Sequence, residues 1–226
     1  MNLPMIYKLN KYLVSSAPFL FFAFMPFLAA AEENGSSYGD VLKFSAGIVT
    51  AVLIHEGSHA LVAGLTDTHM NWEIGSYNQP LGFTESSSSN GKGIAVYSAG
   101  LLSQIIGSEV VLQTDKIDKN DAFVRGMMAW NILNPILYSL DYWVFRVTNK
   151  EDQKKYQGDL EGVEHYANEP TAHGFALSMA AIATYQGYRF LQTQSWAPDW
   201  LKKNKSNLSM GPLPSGGFIL SYKLAF

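Results

Sequence analysis

The chain of 226 residues contains no cysteine. That excludes disulfides and any metal site built on thiolates, and leaves histidine and carboxylate as the strong metal ligands. The chain is also poor in charge. Asp, Glu, Lys and Arg make up 15% of it and give a formal net charge of −3. With no basic stripe to offset that balance, a nucleic-acid partner is not expected. The mean hydropathy is close to zero, low for a protein that crosses a membrane several times, but the apolar residues are bunched and the average conceals it. The length suffices for one domain with a sizeable core.

The first bunch runs from Leu13 to Ala31 without a charge, behind Lys8 and Lys11, and closes on Ala29-Ala30-Ala31 before Glu32-Glu33. A signal peptide over residues 1–31 is the first reading, and an uncleaved transmembrane anchor is the second, because the run is long for a signal core. Both place the lysines in the cytoplasm and Glu32 outside. Residues 32–39 are a short polar linker.

Four further runs have helical length: Asp40 to Leu65, with Asp40 as N-cap, Gly93 to Gln113, Phe123 to Val147, and the weaker, Ala-rich Ala172 to Leu191. The second carries Ala95, Ala99, Ser103 and Gly107 every four residues, a stripe that lets helices approach closely in lipid. Pro135 should kink the third by freeing a backbone carbonyl. Between the first two runs, Met70 to Thr84 shows partial alternation and an Asn-Gln-Pro-Leu-Gly turn signal, which predicts a β-hairpin. Residues 114–122 and 148–171 are charged or polar connectors. The tail, residues 193–226, holds Trp196 and Trp200 with Lys202, Lys203 and Lys205, an interfacial anchor, and ends in a strand-like Gly216 to Phe226. The fold class expected is an all-α integral membrane protein of about four transmembrane helices after the N-terminal segment, with residues 32–192 as the membrane-embedded domain.

The chemistry is concentrated in His55-Glu56-Gly57-Ser58-His59. On a helix the two histidines lie one turn apart, so both imidazoles leave the same face and can grip one zinc ion. Glu56, one residue along, is placed to act as general base toward an attacking water. Two histidines and a glutamate are costly in an apolar run long enough to span a bilayer, and intramembrane ionisable groups are functional by default. Asn131, Asn134 and Asp141 are further polar groups in an apolar segment.

Those residues, with Ser98-Ala-Gly-Leu-Leu-Ser-Gln104 and the helix bearing Asn131, Asn134 and Pro135, resemble the site-2 protease family of intramembrane zinc metalloproteases. The resemblance spans roughly residues 40–165. It implies that His55, His59 and a later aspartate hold Zn2+, that Glu56 activates water, and that the hairpin over 70–84 lies beside the active site. This chain departs from the family at Ser58, where glycine is usual, and at Leu101, where proline is usual. It also has no Asn-x-x-Pro run closing on Asp-Gly.

That last departure leaves two third ligands open. Asp141 lies in the third helix at nearly the depth of the histidines, if the two helices run the same way. Asp159 follows that helix, in Gly158-Asp-Leu-Glu-Gly, and as a bland alternative would be a helix N-cap. Glu161, Glu164 and His165 follow without a trusted ligand spacing, and His69 and His173 are expected to be bland. Asn131 or Asn134 could donate a hydrogen bond to an oxyanion.

The function expected is therefore a multi-pass metallopeptidase of the bacterial inner membrane, cleaving membrane-anchored protein substrates within the lipid bilayer. Competing readings are a secreted soluble zincin, a non-catalytic membrane protein retaining the metal site, and an outer-membrane β-barrel. The barrel is disfavoured by long runs with little alternation.

Overall fold

The motif helix sets the frame. In the computed structural model, which describes residues 38–74, 81–148, 158–202, 208–212 and 218–222, Tyr38–Leu65 forms helix α1 of 28 residues. At about 1.5 Å per residue it is longer than a bilayer core is thick. Asp40 lies within its first turn, where a carboxylate favours the helix dipole, and so does not serve as the expected N-cap. The predicted signal peptide or anchor, the start of the linker and the Asn78-Gln79-Pro80 turn lie outside the described residues.

Strands β1 (His69–Ile74) and β2 (Leu81–Ser86) pair antiparallel with Trp72 opposite Phe83, the hairpin that alternation predicts. Helix α2 (Asn90–Gln113) and helix α3 (Ala122–Thr148) follow. The short helix α4 (Asp159–Tyr166) lies in what reads as a polar connector, and helix α5 (Glu169–Thr193) comes after it. α5 starts ahead of its apolar run because Asn168 caps it, accepting from Thr171 N at 2.9 Å, with Pro170 in the first turn. A four-residue helix α6 (Asp199–Lys202) and a second hairpin, β3 (Leu208–Pro212) with β4 (Phe218–Tyr222), end the described chain. The tail thus holds two paired strands where one is expected.

The long helices run alternately up and down. Lys43 Nζ lies 3.5 Å from Asp121, joining the starts of α1 and α3. Asn120 Nδ2 donates to Thr193 O at 3.3 Å and Gln194 Nε2 to Lys119 O at 3.0 Å, which brings the end of α5 to the same side. At the opposite end, Trp143 Nε1 donates to His173 Nδ1 at 3.1 Å, joining the end of α3 to the start of α5.

α1 and α3 touch backbone to backbone. A Cβ on Gly47 would overlap the carbonyl oxygen of Phe123, and one on Gly126 would overlap that of Phe44, so each glycine admits the other helix. The close approaches of α2 use Gly93, Gly100 and Gly107, seven residues apart, which meet Tyr166, the two histidines and Asn131 respectively. That register differs from the expected stripe of Ala95, Ala99, Ser103 and Gly107. A seven-residue step keeps to one helix face more closely than repeated steps of four.

Besides its apolar core, the bundle buries several polar groups and leaves apolar ones exposed. Gln104, Ser108, Glu109, Asn131, Asn134, Ser139 and Gln186 are buried, whereas Val41, Leu42, Val49, Leu53, Ile54 and Leu61 of α1 are exposed. Ser139 Oγ lies 2.8 Å from Pro135 O and 2.9 Å from Ala176 O, so it bridges α3 and α5 beside the proline. Arg189 Nη1 meets both carboxylate oxygens of Glu109 at 2.8 Å, pairing the charges α2 and α5 bury. Among the described residues, two helices are long and apolar enough to cross a membrane, α1 and α2. The expected number was about four.

Candidate metal centre

Helix period alone puts His55 and His59 on one face of α1, and the bundle turns that face inward: they are 4% and 0% exposed. α2 fits against them because residue 100 is glycine. A Cβ there would overlap His59 Nε2 and press on the His55 ring. One turn earlier on α2, the carbonyl of Val96 accepts from His59 Nδ1 at 2.6 Å. That bond fixes the tautomer and leaves the Nε2 lone pair free.

The third group is Asp159. Helix α4 buries Leu160 and Val163 in a core shared with Tyr97, Leu101, Tyr142 and Ala176. Gly162 lets the Tyr97 ring lie against its backbone. Docked so, the first residue of α4 points its carboxylate at the histidines. Oδ2 is 3.3 Å from His55 Nε2, Oδ1 is 3.3 Å from His59 Nε2, and the two Nε2 atoms are 3.3 Å apart.

Without an ion, these contacts are those of imidazole Nε2–H groups donating to the Asp159 carboxylate; a divalent cation would take the place of those protons. The spacing also fits. Zinc bonds of about 2.0–2.1 Å in tetrahedral geometry imply ligand atoms about 3.3–3.4 Å apart, as here. His55, His59 and Asp159 form the group, among the described residues, whose ligand atoms lie within 4.8 Å of one another and could hold a metal ion. Burial acts to raise the Asp159 carboxyl, but the imidazoles of His59 and His55 outweigh it and hold the group well below the usual carboxylate range.

Asp141 is not part of this group. Its side chain is exposed, and the α3 residue facing His55 is Tyr138, with ring centroids 6.2 Å apart. Asp159 is also not an N-cap, since Gly158 holds that position.

Glu56 is half-buried and is the residue of α1 next to His55. Asn134 Nδ2 donates to Gln104 Oε1 at 3.0 Å. Asn131 lies against Gly107 of α2. The hairpin is beside the site: the Phe83 ring is 4.8 Å from His59 and 5.2 Å from Tyr97. Ser58 Oγ donates to Ile54 O at 2.7 Å, and Leu101 lies fully buried in the core.

The remaining candidates lie elsewhere. Glu164 accepts from Tyr142 at 2.5 Å, His165 is exposed against Tyr166, His69 pairs with Asn71, and His173 accepts from Trp143. Gln104, Tyr138 and Phe83 lie at or near the site without a site role expected from sequence. Gln104 carried a signal, a lone amide between Leu101 and Ile105 in an apolar run.

The class the fold and site define is a helical bundle with a buried His-His-Asp group suited to a metal ion. No protein-family model, curated protein or solved structure matches this chain.

Proposed function

We propose that the protein is a zinc-dependent intramembrane metallopeptidase that cleaves membrane-anchored protein substrates. The observation that carries this reading is the triangle of His55 Nε2, His59 Nε2 and an Asp159 carboxylate, with edges of 3.3 Å, beside a half-buried glutamate with no ligand role of its own.

His55, His59 and Asp159 would hold the ion, leaving a fourth position for substrate or water. Zinc, when bound, supplies Lewis acidity, polarising a carbonyl and making a neighbouring water easier to deprotonate. Glu56 takes the proton from the attacking water and passes it to the departing amine. Val96, through its carbonyl, keeps His59 in the tautomer that binds through Nε2. Phe83 and Tyr97 wall the site on the hairpin side and keep bulk water from it.

A bilayer setting is supported by the apolar outer face of α1. Exposing a Leu or Ile side chain to water forfeits about 1.5–3 kcal/mol of burial energy, and α1 leaves Leu42, Leu53, Ile54, Leu61 and Leu65 exposed. On this reading α3 and α5 also span, in the inner membrane of a bacterium, and the metal group lies nearer the cytoplasmic side. A soluble zincin would carry that apolar face into water.

The test is cleavage in proteoliposomes of a tagged peptide with a single transmembrane helix. Cleavage should stop with a zinc chelator and return when zinc is restored. Cleavage that survives exhaustive metal removal, or none from zinc-loaded protein on any of a panel of such helices, contradicts the proposal.

A further inference from the structure

Gln104 of α2 is 1% exposed. Its Oε1 accepts from Asn134 Nδ2 at 3.0 Å, while its Nε2 has no hydrogen-bond partner among the described residues. Buried amide hydrogens are rarely left unused, so each exception calls for a reason.

The position of this amide suggests the reason. Gly100, one turn before Gln104 on the same face of α2, lies against both histidine rings. Tyr138, one turn after Asn134 on α3, faces the His55 ring. α2 and α3 run in opposite directions, so both steps lead to the same side of the metal group. The Gln104–Asn134 pair therefore lies one turn from the ligands, toward the end of the bundle where α1 begins.

We propose that Gln104 is a catalytic residue: its Nε2–H donates to the carbonyl oxygen of the scissile peptide as negative charge develops there. Asn134 is a positioning residue that grips the carboxamide by its oxygen. The inference rests on the metallopeptidase reading and deepens it. It also reassigns the oxyanion role expected of Asn134, whose amide nitrogen is tied to Gln104 Oε1 by one of its two N–H groups. A donor fixed before the substrate arrives needs no reorganisation during the reaction, which is what makes such hydrogen bonds effective in a water-poor site. The clamp on Oε1 supplies that fixation.

Gln104→Met and Gln104→Glu test it, each measured for zinc content, for kcat and KM on a single-span peptide in proteoliposomes, and for affinity toward a phosphinic peptide that copies the tetrahedral state. Gln104→Met should retain zinc, lose about 100-fold in kcat with KM within about twofold, and bind the phosphinic peptide correspondingly more weakly. Gln104→Glu keeps an acceptor for Asn134 but has no N–H. Its kcat relative to wild type should rise as pH falls from about 8 to about 5.5, because a protonated carboxyl can donate. Asn134→Leu should show the same loss in kcat rather than KM, at a smaller size.

A zinc-bearing Gln104→Met, or a zinc-bearing Gln104→Glu at about pH 8, with kcat within about threefold of wild type overturns the proposal, that threshold being far below the usual cost of a lost oxyanion donor. If Gln104→Met fails to fold or hold zinc, Gln104→Glu decides. Loss of zinc from both makes Gln104 structural and also overturns it. If wild type holds zinc yet neither cleaves nor binds the phosphinic peptide, the metallopeptidase reading falls and takes this one with it. Active wild type with unimpaired Gln104 variants refutes this inference alone.

Discussion

Asp159→Ala is expected to strip the metal as fully as His59→Ala, while Asp141→Ala leaves it in place. The carboxylate of Asp159 supplies two of the three edges of the triangle, each at 3.3 Å, and its removal leaves two imidazoles to hold the ion. Losing even an outer partner of a metal ligand costs about 10–100-fold in affinity, and a direct ligand should cost more. Asp141 has an exposed side chain and is not among the three residues whose ligand atoms converge. Metal content after dialysis, read with a competing chelator, separates the outcomes. Full zinc in folded Asp159→Ala would mean that the ion is held elsewhere.

Glu56→Gln is expected to keep zinc and lose cleavage by about 10²–10⁴-fold, the usual contribution of a positioned general base. Glu56 is offset by one residue from His55, about 100° around α1, and is not among the three residues whose ligand atoms converge. The amide fills the same space and cannot accept the proton. Metal analysis and cleavage on the same preparation check both halves. Loss of zinc from folded Glu56→Gln would make Glu56 a ligand and undo the role given to it.

Part of this site can be read from sequence because helix geometry is local. Four residues bring His55 beneath His59 whatever surrounds them, and the length of the apolar run fixes α1 within two residues. Asp159 is different. Its place depends on how Leu160 and Val163 of α4 dock against Tyr97 and Leu101, residues some 60 positions earlier in the chain. In sequence, Asp-Leu-Glu-Gly-Val-Glu-His-Tyr reads as a polar connector. The pair Leu160 and Val163, three apart, was the faint sign of a helix with one buried face.

Asp141 appealed because depth in a bilayer is easily counted along a helix. The direction in which a side chain leaves that helix is set by its partners, here the Gly47 and Gly126 contacts that lock α1 against α3. The hairpin was legible through alternation, but its approach to His59 through Phe83 was not, because that is a tertiary contact. Gln104 was visible as a polar residue among apolar ones. What the sequence lacked was its bond to Asn134, which leaves one end of the amide clamped and the other free.

The central claim is that His55, His59 and Asp159 together hold one metal ion. Elemental analysis of the purified full-length chain in detergent tests it most directly, run beside His55→Ala prepared in the same way. One zinc per wild-type chain, absent from His55→Ala, is the result this account predicts. A folded wild-type protein that stays empty when offered excess zinc, or that carries as much zinc as His55→Ala, would contradict it.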